Sequence, residues 1–314
     1  MRQGGRQLGL PRGMRGCLLV AVLLTGCATT ARHSTTNPTA APLQVVAAEN
    51  FWGSIAVQLG GTKVKVESII TSPGTDPHDY DPSAVDARDI SDATVVIANG
   101  IGYDPWISKL LAANHKAGQH VVTVGDVVDA TGGDNPHRWY NPSDVHRVVA
   151  AIAATYQAAD PVDAAYFTTQ QNTFETTGLA RYNAIIKQIK ATYAGTPVGA
   201  SESIFAMMAP DLGLDLVTPP TFLRAISEGT DPTSAEKQSI DRQIATHAIK
   251  VYVYNSQNAT PDVQAQIGEA KAAGIPVTTI TETLSPASAT FQDWQVAELT
   301  SLQAALAQAK AQNR

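Results

Sequence analysis

Two short loops in this sequence each hold a histidine between prolines. The first reads Asp-Pro-His-Asp-Tyr-Asp-Pro over residues 76–82 and contains His78; the second reads Asn-Pro-His-Arg-Trp-Tyr-Asn-Pro over residues 135–142 and contains His137. Proline fixes its own φ angle and favours an extended residue before it, so each loop is expected to be stiff. Because the chain has only seven histidines, this pair indicates a shared site for a divalent metal ion.

Two glutamates follow predicted strands in the second half of the chain. Glu202 ends an apolar run that starts at Pro197, and Glu282 comes directly after the last predicted strand. Ligand sites in open α/β sheets form beyond the carboxyl ends of strands, so all four side chains are expected to converge in a cleft between two lobes. Two imidazoles and two carboxylates suit Zn²⁺, Mn²⁺ or Fe²⁺, whereas Ca²⁺ and Mg²⁺ prefer oxygen ligands alone.

Each of these residues also has a purely structural interpretation. His78 and His137 could serve as hydrogen-bonding groups of their loops. Glu202 could cap the following helix, because a carboxylate suits a helix N-terminus. Glu282 could be a solvated loop residue.

Strands alternate with helices along most of the chain, which predicts an α/β fold. We expect two lobes, each with a roughly four-stranded parallel sheet flanked by helices, joined by one long rigid connecting helix. The predicted strands lie at 43–49, 63–70, 93–98 and 120–124, and at 197–202, 214–218, 250–255 and 276–281. The predicted domains are a signal peptide (1–26), a disordered tether (27–42), an N-terminal lobe (43–160), the connecting helix (161–194) and a C-terminal lobe (195–314).

The connecting helix is predicted from an uninterrupted helical pattern over residues 161–193. Thirty-odd residues correspond to roughly 45–50 Å of helix. Its one interior glycine, Gly178, is expected to weaken it only modestly. Such a spine predicts small tilts of the lobes rather than wide hinge closure.

The first 26 residues have the layout of an export signal. A basic segment precedes a short apolar run that is too short to span a bilayer. Leu-Thr-Gly-Cys over residues 24–27 resembles the bacterial lipoprotein box, which implies cleavage before Cys27 and a diacylglycerol on its sulfur. The other cysteine, Cys17, lies in the apolar run, so the mature chain has no disulfide and no thiolate for catalysis or metal binding.

The charge of the chain excludes one class of partner. The formal net charge is −6, and the leader holds four arginines and no acidic residue, so the mature chain is more acidic still. An acidic protein of this kind is not expected to bind nucleic acid. We also find no phosphate-binding loop of the GxxxxGK[ST] type, so no ATPase is expected in this chain.

Several segments taken together resemble the zinc/manganese substrate-binding lipoproteins of bacterial ABC importers. The resemblance is carried by residues 76–82, 92–106, 135–142, 200–205 and 253–257. It covers essentially all of 43–312, including the connecting helix.

The resemblance implies a set of metal ligands. In that family the first two histidines are ligands, which match His78 and His137, and the third ligand is Glu or His at the position of Glu202. The fourth is usually an Asp shortly after the last strand, where this chain has Glu282. Because that residue departs from the family pattern, Asn255 and Asp293 remain alternatives for the fourth ligand.

The identity of the metal stays open between zinc and manganese, with iron also fitting. The family links a glutamate in third place mainly to manganese or iron, and the His-rich acidic insert frequent in zinc-type members is missing here. The intrinsic affinity order, in contrast, favours Zn²⁺ over Mn²⁺ at any site of two nitrogens and two oxygens.

The resemblance implies a protein that captures metal and performs no catalysis. We expect a monomer on the outer face of the cell membrane, anchored by lipid on Cys27, that delivers its ion to a membrane permease driven by a cytoplasmic ATPase. Because imidazoles bind metal only when neutral, affinity is expected to fall below roughly pH 6. The alternatives are a metal-dependent hydrolase, and an adhesin or stress lipoprotein whose metal is structural.

Overall fold

The computed structural model of the protein describes residues 41–114 and 116–312. The predicted signal peptide, the predicted lipid site at Cys27 and most of the predicted tether therefore lie outside the described residues. Within these, no helix combines the length and the apolar character needed to cross a bilayer.

The first lobe is built on four parallel strands, β1 (Leu43–Glu49), β2 (Val64–Ile70), β3 (Val95–Ala98) and β4 (His120–Thr123). Their order in the sheet is β2-β1-β3-β4, and Val45 of β1 lies opposite Val66 on one side and Val95 on the other. The two central strands are rich in buried valine and alanine, as expected where helices cover both faces of a parallel sheet.

Helices of this lobe alternate with its strands. They are α1 (Asn50–Gly60), α2 (Ala84–Asp92), α3 (Pro105–Ala113), α4 (Val124–Val127) and α5 (Pro142–Ala159), with short 3₁₀ turns at Gly61–Lys63 and Arg138–Tyr140. Gly61, with φ of +51°, ends the first helix in a conformation that glycine adopts at low cost.

The connecting segment is helical almost throughout, but it is not one uniform α-helix. A 3₁₀ turn (Pro161–Asp163) leads into α6 (Ala164–Thr173), a π-helical turn (Phe174–Gly178) and α7 (Ala180–Tyr193). The turn puts the backbone N–H of Leu179 on the carbonyl of Phe174 at 2.8 Å. Gly178 therefore marks a change of helical type, since π turns inside α-helices disturb the regular ladder.

The second lobe repeats the architecture of the first. Its strands are β5 (Pro197–Ala200), β6 (Asp215–Leu216), β7 (Val251–Asn255) and β8 (Val277–Ile280), and its helices are α8 (Ile204–Met208), α9 (Pro220–Ser227), α10 (Ser234–Ala245), α11 (Pro261–Ala272) and α12 (Phe291–Gln312). The sheet order β6-β5-β7-β8 matches that of the first lobe. Helix α9 was not predicted from the sequence, and the strand predicted over 214–218 is reduced to two residues.

One apolar core runs through both lobes. It includes Phe51 of α1, Val149 of α5, Ile189 of α7, Tyr252 of β7 and Leu302 of α12. A smaller cluster covers the other face of the first sheet. Because the lobes share a core, their facing edges are held by packing as well as by the connecting segment.

Helix α12 returns from the second lobe to the first. The backbone N–H of Phe291 at its start donates to Ser54 Oγ at 2.9 Å, and Gln292 bonds Gln58 at 2.6 Å. These contacts join α12 to α1, so the carboxyl ends of the two sheets face a common cleft.

Candidate metal centre

The candidate residues follow the carboxyl ends of strands in the two sheets. The strand order reverses between β1 and β3 in the first sheet and between β5 and β7 in the second. Such a reversal opens a crevice at the carboxyl ends of the strands, where ligands bind in open α/β folds. Glu202 follows β5 by two residues and Glu282 follows β8 by two.

His78 is held by its loop and by the segment that follows β3. Its backbone N–H donates to Asp76 Oδ1 at 2.9 Å, and its ring Nδ1 lies 3.3 Å from the carbonyl oxygen of Gly102. A proton on Nδ1 makes this a hydrogen bond and leaves the lone pair on Nε2 for a metal. The ring of Tyr103 packs against the imidazole at 4.9 Å between centroids, which restricts its rotation.

His137 is buried, with only 1% of its surface exposed. Its Nδ1 lies 2.7 Å from Asn135 Oδ1, and this acceptor fixes the proton on Nδ1. The opposite nitrogen, Nε2, lies 3.5 Å from Glu282 Oε1. Burial lowers the pKa of His137, and this outweighs the raising effect of Glu282. The imidazole therefore stays neutral, and able to bind metal, to lower pH than an exposed histidine.

Aromatic rings surround the two imidazoles. Tyr103 lies 5.9 Å from His137 and Trp139 lies 5.2 Å from it, centroid to centroid. Phe51 stacks on Trp139 at 3.9 Å. This wall excludes water on one side and fixes the ring directions.

Glu202 is buried beneath the second lobe's side of the cleft, 2% exposed. Asn255 Nδ2 donates to its Oε2 at 2.7 Å, and Asn258 Nδ2 donates to its Oε1. Burial, and then the negative charge of Glu282, raise the pKa of Glu202 to about 8, although both amides lower it.

Glu282 is the acidic residue that reaches the first lobe. Its backbone N–H donates to Gln257 Oε1 at 2.8 Å, which fixes the turn after β8. Burial alone raises the pKa of Glu282, but the hydrogen bond to His137 and the charges of His137 and His78 lower it below its ordinary value. The carboxylate is therefore ionised and faces the histidines.

The structure brings the predicted residues to one region without closing them around a point. Among the described residues, no group of three or more His, Cys, Asp or Glu side chains lies close enough together to hold one ion as it stands. His137 and Glu282 are in contact, the charge of His78 acts on Glu282, and the charge of Glu282 acts on Glu202. Beside them a cleft of about 400 Å³ is lined by both histidines and by Ser203, Leu223 and Arg224 among others.

The two alternative fourth ligands have other partners. Asn255 donates to Glu202, and its Oδ1 accepts from the backbone N–H of Gln257 at 2.9 Å. Asp293 accepts from Thr290 Oγ1 at 2.8 Å in the first turn of α12. Of the three candidates, only Glu282 is in contact with a histidine.

Sequence reasoning missed a second pair of buried acids at the cleft. Glu49 ends β1 and is fully buried, and Asp104 accepts from the backbone N–H groups of Asn99 and Gly100 at 2.6 and 2.7 Å. Burial, then the nearby Asp104, raises the pKa of Glu49 well above its ordinary value. The position of Glu49 at the carboxyl end of a central strand is the signal that could have identified it.

Comparison with known families decides the affiliation. The sequence profile described as zinc-uptake complex component A, periplasmic (ZnuA) matches residues 45–305. The chain belongs to the ZnuA family. The match spans both lobes and the connecting segment.

Individual relatives match this ZnuA family chain at low sequence identity. The manganese ABC transporter substrate-binding lipoprotein PsaA of Streptococcus pneumoniae is 30% identical over 163 residues, which cover 46% of this chain and 52% of the relative. The iron-binding protein YfeA of Yersinia pestis is 25% identical over 258 residues, 78% of each chain. The chain spans about half the length of the manganese-binding relatives it matches.

Solved structures support the fold of the ZnuA family chain. A manganese-bound periplasmic metal binding protein from candidatus liberibacter asiaticus superposes with a TM-score of 0.69 at 21% identity, covering 83% of this chain and 98% of the other. The SBP FpvC from Pseudomonas aeruginosa, in complex with Mn²⁺, gives 0.67 at 20% identity, with 85% and 98% covered. The two-lobe architecture is thus shared.

Proposed function

We propose that this chain captures a divalent transition metal, zinc or manganese with iron also fitting, between its lobes and delivers it to an ABC importer. The observation that carries the proposal is the contact of His137 Nε2 with Glu282 Oε1 at 3.5 Å. A neutral imidazole from one lobe and an ionised carboxylate from the other present their lone pairs to the same space. An ion placed there would gain ligands from both lobes at once.

The proposed ligand set is His78, His137, Glu202 and Glu282. Each imidazole has an acceptor on Nδ1, namely Gly102 O and Asn135 Oδ1, so Nε2 is the nitrogen offered to the metal. Because a carboxylate has about four lone pairs, Glu202 keeps acceptor capacity for an ion beside its two amide bonds. Closing the shell requires side chains or loops to move, because among the described residues no three such groups lie close enough to hold one ion.

Metal choice is proposed to follow from this mixed donor set. Relatives named for binding manganese and iron support these two metals as the cargo, and the family description names zinc. The intrinsic affinity order favours Zn²⁺ at such a site, so selection in the cell would rest on which ion is available and which geometry the closed cleft accepts.

The remaining parts of the transport role are also proposals. Lipid on Cys27 would hold a monomer at the outer face of the membrane, with the tether over residues 27–42 giving it reach. A permease and a cytoplasmic ATPase would take over the ion. The family affiliation and the names of the relatives support these partners.

Metal analysis of protein purified without added metal is the direct test. We expect one equivalent of a bound divalent metal, removable by chelators, and competition titrations that rank Zn²⁺, Mn²⁺ and Fe²⁺. In cells, loss of the gene should be rescued by an excess of one particular metal. A structural metal or a metal-dependent hydrolase predicts no such rescue, and protein that binds no divalent ion would contradict the proposal.

Substitution at the fourth position should separate the competing ligands. Glu282→Ala is expected to lower metal affinity by at least about 10- to 100-fold, the loss typical even for residues that only support a ligand. Asp293→Ala removes a carboxylate that bonds Thr290 and should leave the affinity within about threefold of wild type. Competition titration of both variants provides the comparison, and the reverse order of effects would reassign the ligand.

A further inference from the structure

A half-buried glutamate on α12, Glu298, bonds both lobes beneath the cleft. Oε1 of Glu298 accepts from the backbone N–H of Thr281 at 2.8 Å and from Trp294 Nε1 at 2.9 Å. Its Oε2 lies 2.5 Å from the hydroxyl oxygen of Tyr140. The same hydroxyl lies 2.7 Å from the carbonyl oxygen of Thr281. Glu298 is not one of the four proposed metal ligands.

The partners of Glu298 are chain neighbours of two proposed ligands. Tyr140 closes the 3₁₀ turn that starts directly after His137, and Thr281 immediately precedes Glu282. Tyr140 belongs to the first lobe and Thr281 to the second. The network therefore fixes the backbone next to His137 relative to the backbone next to Glu282.

Counting hydrogens shows which form of the acid satisfies the network. The Tyr140 hydroxyl has one hydrogen but two oxygen neighbours at 2.5 and 2.7 Å. Both contacts are hydrogen bonds if Oε2 of Glu298 carries a proton and donates to Tyr140, while Tyr140 donates to Thr281 O. Consistent with this, burial raises the pKa of Glu298 to about 7, despite the donors that lower it.

The surroundings of Glu298 offer few other charges. Tyr140 is the titratable group that faces it, and burial raises the pKa of this tyrosine as well. The adjacent small cavity is lined mainly by apolar side chains, among them Phe205, Met208 and Ile280, and by the amide of Gln295. In surroundings with few polar groups the hydrogen bonds hold the acid strongly, because any arrangement that broke them would leave buried polar groups without partners.

We propose that Glu298 is a positioning residue for the metal centre: together with Tyr140 it ties the two ligand-bearing loops and sets the separation of His137 and Glu282. This inference rests on the proposed metal-binding function. Without the tie, the loop after β8 would move relative to the 3₁₀ turn, and the ion would have to order both loops when it binds. Affinity would fall although none of the four proposed ligands had changed.

Four variants and one control test the tie by competition titration with Zn²⁺ and Mn²⁺. Glu298→Leu and Tyr140→Phe are each expected to lower affinity by about 10- to 100-fold, as for other residues that support ligands. Their double variant should lose little more than either single one, because both break the same connection. Glu298→Gln, whose amide can donate to Tyr140 as the protonated acid does, should stay within about threefold of wild type.

The control separates positioning from general stability. Thr290→Ala removes the bond between Thr290 and Asp293 in the first turn of the same helix; it should lower the melting temperature yet leave the affinity of the folded protein unchanged. Wild-type affinity in folded Glu298→Leu, or in Tyr140→Phe should the leucine variant not fold, would overturn the inference. So would a loss in Glu298→Gln as large as that in Glu298→Leu. Wild-type protein that binds neither ion would instead overturn the proposed function itself.

Discussion

Replacing His137 by alanine is expected to lower the affinity for a divalent metal by more than about a hundred-fold, beyond the loss typical for residues that only support a ligand. This imidazole is nearly fully buried and directs Nε2 at Glu282. Its removal takes away a neutral nitrogen donor and leaves an ionised carboxylate without its partner. A titration against a chelator of known affinity measures the change.

His120 provides the matched control for this substitution. It starts β4, at the end of the sheet opposite to the cleft, so His120→Ala should bind metal as wild type does. If His137→Ala retained wild-type affinity, the ion would have to lie elsewhere. The contact across the lobes would then have no role in metal capture.

The metal-free protein is expected to lose stability as the pH rises from about 4.5 towards 8. The pKa of Glu202 is raised from 4.5 in the unfolded chain to about 8 in the folded one, so the folded state binds the proton more tightly. The stability due to this proton is fully present below pH 4.5 and is lost as the pH rises towards 8. The shift corresponds to at most roughly 5 kcal/mol at about 1.4 kcal/mol per pKa unit.

Other buried groups shape the same curve. Glu49 and Glu298 have raised pKa values and act in the same sense as Glu202. His137 has a lowered pKa, so its protonation favours the unfolded chain and partly offsets this decline below about pH 6.5. Urea denaturation at a series of pH values should therefore show that the metal-free protein loses stability from about pH 5 to about pH 8, most steeply just above about pH 6.5.

The substitution Glu202→Gln tests the origin of the loss at high pH. A neutral amide cannot ionise, so the decline between pH 6.5 and pH 8 should become shallower than in wild type. In the wild-type protein, added metal should restore the stability lost at pH 8, because binding stabilises the folded state by mass action. An unchanged pH profile in Glu202→Gln would show that another buried acid, such as Glu49, dominates.

Local chemistry determined much of the fold before any tertiary structure was considered. The run from Leu43 to Glu49 was predicted as a strand and forms one with the same ends, because apolar β-formers followed by a helical pattern leave little choice. The prolines beside His78 and His137 restrict the backbone of both loops. The alternation of strands and helices was sufficient to predict two parallel sheets, and both are observed.

Other local features were beyond such patterns. Helix α9 begins at a pair of prolines, and such a pair in a sequence predicts a loop. The π turn over Phe174–Gly178 interrupts a continuous helical pattern in the sequence. Neither feature follows from periodicity.

The sequence by itself determined which side chains could bind a metal: two histidines in stiff loops, two acids at strand ends, and a resemblance to metal-binding lipoproteins. Only the tertiary structure decided that His137 contacts Glu282 and that two amides bond Glu202. It also decided that Glu298 connects the chain neighbours of His137 and Glu282. The physical reason is distance along the chain. Residues 137 and 282 are brought together by the shared core and by α12 returning to the first lobe, and no local pattern records that packing.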